Sequence, residues 1–383
     1  MSECAFIAGA YEHPARSLPD TTIAQLQADL AIGALNDAGL SPGDVDGFLS
    51  TPDAPGLGML SMADYLGMRR LRFTDTTETG GSAYIAHVGH AAMAIQAGLC
   101  SVVLVVMGGK TKGGGIPAGY FLAPEIPFET PFGTTITGEY ALAMRRHMHE
   151  FGTKPEELAA VKSTSTIHAH HNPNAWVKEP ISVDEVLDSP MVADPLHRLE
   201  CCRNTDGGGA LVIVSEAVAR TLSTPRIAVL GHGTAIKASY GGRIDLTSTA
   251  AVQSGRDAYA MAGIGPGAVD YLGAYDSFTI TLLMQLEDLA FCTKGHGGPF
   301  VASGALLAPN GEIPTNTDGG GLSNNHPGGR GGMPKLVEAV RQLRGQAAPQ
   351  VQVPQCQVAL VNGMGGSIGS RMGSATVILG RAD

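Results

Sequence analysis

A long-range internal repeat constrains this chain more than any other feature. Ala38-Gly-Leu-Ser-Pro-Gly-Asp-Val-Asp46 returns as Ala262-Gly-Ile-Gly-Pro-Gly-Ala-Val-Asp270, a shift of 224 positions. In each copy a helical pattern comes first (Thr22 to Asp37; Ala250 to Met261), a glycine closes it, and an apolar strand follows (Val45 to Leu49; Val269 to Leu272). A second pair of segments agrees. Cys100-Ser-Val-Val-Leu-Val105 and Cys356-Gln-Val-Ala-Leu-Val361 are apolar runs followed shortly by Gly-Gly, preceded by helical segments at Tyr84 to Ala97 and Lys335 to Arg344. Short apolar runs alternating with helices read as buried strands of a mainly parallel α/β sheet. The spacing therefore predicts two related βαβ halves, 1–225 and 226–383, and 383 residues are enough for two fused cores.

Between the repeats, roughly residues 108–205 change character: a Gly- and Pro-rich opening (Gly108 to Gly133), polar helical segments (Gly138 to Phe151; Pro155 to Ser165), then His168-Ala-His-His-Asn-Pro-Asn174. An insertion of this length reads as a lid or binding loop on a rigid scaffold. With 44% hydrophobic and 16% charged residues the chain reads as a well-buried enzyme. A net charge of -10, with no basic run interleaved with aromatics, excludes nucleic acid as an expected partner. The longest apolar stretch, Leu99 to Met107, is too short to cross a bilayer, and the N-terminus lacks a basic leader, so a soluble cytoplasmic protein is expected. The six cysteines show no CxxC spacing and read as reduced thiols, the vicinal Cys201-Cys202 included.

Several motifs fail on their own chemistry. Gly109-Lys110-Thr111 lacks the earlier glycine of a phosphate loop, since position 104 is Leu. Gly365-Gly-Ser-Ile-Gly369 fits a GxSxG elbow around Ser367, yet Ser374 to Leu379 reads as a strand where an elbow needs a helix. His168, His170 and His171 have no carboxylate or cysteine at ligand spacing, so a polar loop is expected and no metal. His326-Pro-Gly-Gly329 carries more. A histidine in a loop closing onto a helix can exchange a proton with a carbonyl-bearing ligand while helix-terminal amides stabilise negative charge. The alternative, a histidine merely capping a turn, stays equally open on residues alone.

At these residues the chain resembles the thiolase superfamily, in its sterol-carrier-protein-type branch. The resemblance is carried by Asn316-Thr-Asp-Gly-Gly-Gly-Leu-Ser-Asn-Asn-His-Pro-Gly-Gly-Arg-Gly-Gly332, by Tyr275-Asp-Ser-Phe-Thr279, by Asp206-Gly-Gly-Gly-Ala-Leu-Val212 and by Asn362-Gly-Met-Gly-Gly366. It implies a five-layered αβαβα thiolase fold with an inserted loop domain, a homodimer formed through the sheet edge, and a CoA thioester as substrate with no bound cofactor. His326 matches the histidine that binds the thioester oxygen. The nucleophilic cysteine of thiolases falls at Gly81, within Thr79-Gly-Gly-Ser-Ala83, and the second, acid/base cysteine falls at Asn362. Glycine cannot attack and asparagine cannot titrate; Ser82 would need an adjacent base.

What remains is machinery for stabilising an enolate: His326 as oxyanion donor, Asn362 and Ser82 lining the pocket, and Gly328, Gly365, Gly366 and Ser277 on the substrate or CoA. The resemblance thus favours non-thiolytic, retro-aldol carbon-carbon cleavage or formation on an acyl-CoA. Superfamily aldolases without the cysteine cleave steroid side chains, usually beside a small OB-fold (DUF35-type) partner, and are thought to use tyrosines. Tyr84, Tyr120, Tyr240 and Tyr275 are the candidates here, with Tyr275 preferred because it adjoins Asp276-Ser-Phe278. The rival expectations are acetyl-CoA acetyltransferase-type acyl transfer and a non-catalytic acyl-CoA-binding subunit for the OB-fold partner.

Overall fold

A computed structural model describes residues 4–51, 54, 56–111, 126–133, 135–238 and 243–382. The first half runs β1 (Ala5–Glu12), α1 (Ile23–Ala38), β2 (Gly47–Leu49), α2 (Met59–Tyr65), β3 (Phe73–Asp75), α3 (Ala83–Gln96) and β4 (Val102–Gly109). The insertion follows with α4 (Ile126–Glu129), α5 (Ile136–Phe151), α6 (Pro155–His170), α7 (Val183–Leu187), β5 (Met191–Ala193), β6 (Leu196–His197) and β7 (Asn204–Thr205), before β8 (Gly207–Ser215) and α8 (Glu216–Ala219). The second half runs β9 (Ile227–Lys237), α9 (Ala251–Ala262), β10 (Tyr271–Ala274), α10 (Thr279–Asp288), α11 (Gly297–Ala302), β11 (His326–Pro327), α12 (Gly332–Arg344), β12 (Val358–Ser367) and β13 (Ser370–Arg381).

The repeated segments do the same physical work in both copies. Gly39 and Gly263 end α1 and α9 at φ 71° and 68°, a left-handed conformation that a side chain would strain. Each repeat ends in an aspartate that ties its strand to the next. Asp46 accepts from the Ser101 and Val102 amides, both at 2.8 Å, and Asp270 accepts from Gln357 at 2.8 Å and Val358 at 2.9 Å. The sheet order is β3-β2-β4-β8-β1 followed by β9-β13-β12-β10, so both halves are laid out alike and meet where β1 pairs with β9. In the second half the place equivalent to β3 holds a single bridge, Leu272 to Thr315.

The sheet is mixed, which corrects the expectation of a mainly parallel one. β2 is parallel to β3 and β4, and β10 to β12, but β8 and β13 run against both of their neighbours. β12 turns directly into β13 at Ser367–Ser370, and a hairpin can only be antiparallel. Apolar runs carry no sign of direction.

Helices α3 and α12 lie between the two halves of the sheet. Ile85, Val88 and Ile95 of α3 and Leu336, Val337, Val340 and Leu343 of α12 share one core with inward residues of β4, β8, β12 and β13. Burying each such side chain contributes about 1.5–3 kcal/mol. α1 covers the outer face of the first half with Leu26, Leu30, Ala34 and Leu35, while α9 and α10 cover the second. That is the five-layered α/β arrangement.

The insertion is anchored through buried polar groups. His147 of α5 bonds Thr153 Oγ1 at 2.8 Å and Glu287 of α10 at 3.0 Å, and Lys162 of α6 reaches the Leu322 carbonyl and Ser323 Oγ. The polar-loop expectation for His168 and His170 does not hold: α6 runs through both. His168 is fully buried and its Nε2 accepts from the Ala308 amide at 2.9 Å. An exposed face and a buried face alternate too weakly there for sequence periodicity to register. No helix among the described residues is long and apolar enough to cross a membrane.

Candidate functional site

The site forms where β10, β11, β7 and the N-termini of α3 and α12 converge. Tyr275 follows β10 directly, and its amide donates to the Asn362 carbonyl at 3.1 Å and Gln285 Oε1 at 3.0 Å, which sets the ring's direction. His326 begins β11, a two-residue strand parallel to β7, with its own amide donating to Thr205 Oγ1 at 3.1 Å. The rings of Tyr275 and His326 meet edge to face at 5.5 Å, with the phenol oxygen 3.0 Å from His326 Nε2. That oxygen also lies 3.3 Å from the Gly329 carbonyl and 3.5 Å from the Gly331 amide at the start of α12. On its other side, His326 Nδ1 faces Asn204 Oδ1 at 3.2 Å and Cys202 Sγ at 3.3 Å.

Asp276 braces this arrangement. Its carboxylate pairs with Lys335 of α12 at 2.7 Å, both side chains being fully buried, and accepts from the Gly321 and Leu322 amides at 2.8 and 3.2 Å. Burial, reinforced by the Lys335 charge, pushes His326 down to about 3. Burial also raises the Tyr275 phenol and pushes the Cys202 thiol up to about 12. At neutral pH the three groups therefore stand as imidazole, phenol and thiol.

This has a consequence for stability. Below the ordinary histidine value of 6.5 the unfolded chain takes up a proton at position 326 that the folded chain refuses, so stability falls with pH from 6.5 toward 3. Between pH 7 and 5 wild type should lose about 2 kcal/mol more than His326→Gln in denaturant titrations. Equal losses would mean that His326 is protonated in the folded protein.

Gly81 lies in the 3-10 turn Gly80–Ser82 that opens α3. A methyl group placed on it would sit 2.3 Å from Tyr275 Cε2, and 2.5 Å from both Tyr275 Cζ and the Met364 carbonyl. The space a side chain at position 81 would need is thus filled by the Tyr275 ring. Gly332 is equally tight, since a methyl there would lie 2.1 Å from the Gly81 carbonyl. Gly81→Cys is therefore expected to yield no thiolysis and to destabilise the fold by about 1–3 kcal/mol through overpacking. Wild-type stability in a urea titration together with acyl-enzyme formation would overturn this.

The other sequence-predicted residues are placed as follows. Ser82 is fully buried with Oγ donating to the Thr79 carbonyl at 2.7 Å. Asn362 is fully buried on β12, its Nδ2 spent on Ser374 Oγ, the Ala375 carbonyl and Thr376 Oγ1 at 2.8–3.1 Å, while its Oδ1 has no hydrogen-bond partner among the described residues. Ser277 Oγ bonds Thr281 at 3.1 Å. Gly328 packs on Gly109, and Gly365 on Thr79 and Gly80, so close backbone packing accounts for both glycines; Gly366, at φ 81°, packs against the Arg371 carbonyl.

Of the four tyrosines, Tyr275 alone is seen beside His326: the Tyr84 hydroxyl bonds Thr51 Oγ1 at 2.8 Å, and Tyr120 and Tyr240 lie outside the described residues. Ser367 is buried at the end of β12, bonded to Glu139, and leads into a strand, so no nucleophile elbow exists there. Lys110 Nζ is held by the Leu18 and Thr21 carbonyls. Sequence reasoning missed Cys202, Asn204 and Lys335. The first two sit just before the Asp206-Gly-Gly-Gly block, the only available signal, and nothing local places them against residue 326.

Comparison with known proteins identifies the family. Residues 233–381 match the family model described as "Thiolase C-terminal domain-like". The "17-hydroxy-3-oxo-4-pregnene-20-carboxyl-CoA lyase" of Mycobacterium tuberculosis is 33% identical over 85% of this chain and 88% of its own. The "Acetyl-CoA acetyltransferase" of Methanothermobacter thermautotrophicus is 30% identical over 92% and 93%. Among solved structures, the "Ltp2-ChsH2(DUF35) aldolase" superposes with a TM-score of 0.89 at 31% identity, covering 99% of this chain and 98% of that one. The chain belongs to the thiolase superfamily. Within that class its relatives include both carbon-carbon lyases and an acyltransferase, so the site's own chemistry has to choose between them.

Proposed function

We propose that this chain catalyses retro-aldol cleavage, or its reverse, of a β-hydroxyacyl-CoA. The observation that carries the reading is the Tyr275 ring, hydrogen-bonded to His326, filling the space in front of Gly81 where a nucleophile's side chain would stand. Acyl transfer through a covalent intermediate needs an activated nucleophile, and the nearest thiol, Cys202, is protonated and lies on the far side of His326. The lyase and aldolase relatives support the same choice.

In the proposed reaction Tyr275 accepts the proton of the substrate β-hydroxyl as its own proton passes to His326 Nε2. Neither group is charged at rest, so these transfers accompany cleavage of the Cα–Cβ bond. The β-carbon leaves as a carbonyl, and the bonding electrons form the thioester enolate. The Gly331 amide at the start of α12, 3.5 Å from the phenol oxygen, would stabilise the enolate oxygen. Return of the proton through Tyr275 to Cα completes the cycle and restores both side chains. Asn362, whose Oδ1 has no hydrogen-bond partner among the described residues, and Ser82 are assigned to the pocket wall, and Gly328, Gly365, Gly366 and Ser277 to the substrate channel. We further infer two halves at 1–225 and 226–383, a cytoplasmic location, a homodimer, and assembly with an OB-fold partner of the DUF35 type. The aldolase neighbour, whose description includes such a component, supports the last.

A panel of β-hydroxyacyl-CoA esters tests the reading. Wild type should release a ketone or aldehyde and a shortened acyl-CoA, and His326→Ala should reduce the rate by about 10²-fold or more. Equal rates for the two proteins would sink the assignment of His326.

A further inference from the structure

We propose that Asn204 is the positioning residue of the site: its side-chain oxygen holds the imidazole proton of His326 on Nδ1, leaving the Nε2 lone pair for the Tyr275 hydroxyl. The catalytic consequence rests on the aldol reading above; the assignment of the proton does not.

Two self-consistent hydrogen-bond patterns exist around His326. In the first, Nδ1–H donates to Asn204 Oδ1 at 3.2 Å, the Tyr275 hydroxyl donates to Nε2 at 3.0 Å, and the Gly331 amide donates to the phenol oxygen at 3.5 Å. In the second, Nε2–H donates to the phenol oxygen, the phenol donates to the Gly329 carbonyl at 3.3 Å, and Nδ1 carries a lone pair. The second pattern sets that lone pair against Asn204 Oδ1, an atom that can only accept. Its one donor would be the weak S–H of Cys202, 3.3 Å away. Inside a buried site two facing lone pairs are costly, so Asn204, with its Oδ1 turned to the ring, selects the Nδ1–H tautomer; turned over, its Nδ2 would select the other. The decision matters because only the first pattern lets His326 receive a proton from Tyr275.

Backbone pairing makes this geometry dependable. β7 and β11 are parallel with Asn204 opposite His326, and Cys202, two residues before Asn204, also brings its Sγ to the ring while Arg203 packs over Trp176 at 4.1 Å. Cys202 is then the competitor: with Asn204 removed, its S–H becomes the nearest partner of Nδ1 and favours the opposite tautomer.

The experiment uses the full chain labelled with ¹⁵N at histidine, the His326 signals being those lost in His326→Gln. Wild type should show the Nδ1–H tautomer. Asn204→Leu should move the proton to Nε2 and lower turnover of the β-hydroxyacyl-CoA substrate by about tenfold to a hundredfold, part of what a general base supplies. Asn204→Asp, also an acceptor at this position, should keep the Nδ1–H form and restore turnover to within about threefold of wild type. Cys202→Ala, which removes the competitor without touching Asn204, should also retain it. An Nε2–H tautomer in wild type, or an unchanged tautomer in Asn204→Leu, would overturn the proposal. Correct tautomers in all four proteins without turnover in any would uphold the positioning role and reject the aldol reading.

Discussion

Tyr275→Phe is expected to lower turnover by about 10²–10⁴-fold while leaving the fold intact. The phenylalanine ring keeps the volume that fills the space before Gly81, so neither a cavity nor a clash arises. What disappears is the one hydroxyl that links His326 Nε2, the Gly329 carbonyl and the Gly331 amide. Losing it leaves His326 Nε2 without a partner, at a stability cost of about 1 kcal/mol. The split is diagnostic: kcat should collapse while KM and the melting temperature barely move, because the hydroxyl acts on the proton in flight and not on the CoA moiety. Near-wild-type kcat would remove Tyr275 from the chemistry and return the site to a binding role.

The second large effect falls on stability. Lys335→Met should cost about 3–5 kcal/mol at pH 7, since it leaves the fully buried Asp276 carboxylate without its cation. Two backbone amides still hold that carboxylate, which is why loss and not unfolding is expected. Burial already raises the Asp276 carboxyl and Lys335 opposes that rise. Without the lysine its folded value climbs further above the unfolded one, so the folded variant binds the extra proton and the deficit shrinks as pH falls. Urea titrations at pH 7 and pH 5 should show this convergence, and Lys335→Met with Asp276→Asn should recover most of the loss. A deficit independent of pH would mean that Lys335 acts through packing alone. The variant should also raise the affinity of His326 for a proton, because Lys335 is one of the two causes that depress it.

Much of the architecture was legible before any coordinates. The helices around the repeats were placed to within a few residues, because capping glycines and apolar periodicity are local signals: α1, α3, α9 and α12 all fall where the pattern put them. The glycine-rich segment around His326 and the tyrosine beside Asp276 were likewise visible as motifs. The direction of β8 and β13 was not legible, and neither was the continuation of α6 through His168, because both depend on what packs against those segments.

The site divides the same way. Sequence alone determined that position 81 carries no nucleophile, that His326 sits in a loop opening a helix, and that the chain holds two related halves, since each is a statement about residue types at known spacing. Tertiary structure alone decided that the Tyr275 ring occupies the space before Gly81 and that Asn204 and Cys202 face His326 Nδ1. It also decided that Lys335 neutralises Asp276 inside the core. Those contacts join residues far apart in the chain, where no periodicity reaches. Burial then turns each of them from a weak surface attraction into a constraint on which proton sits where.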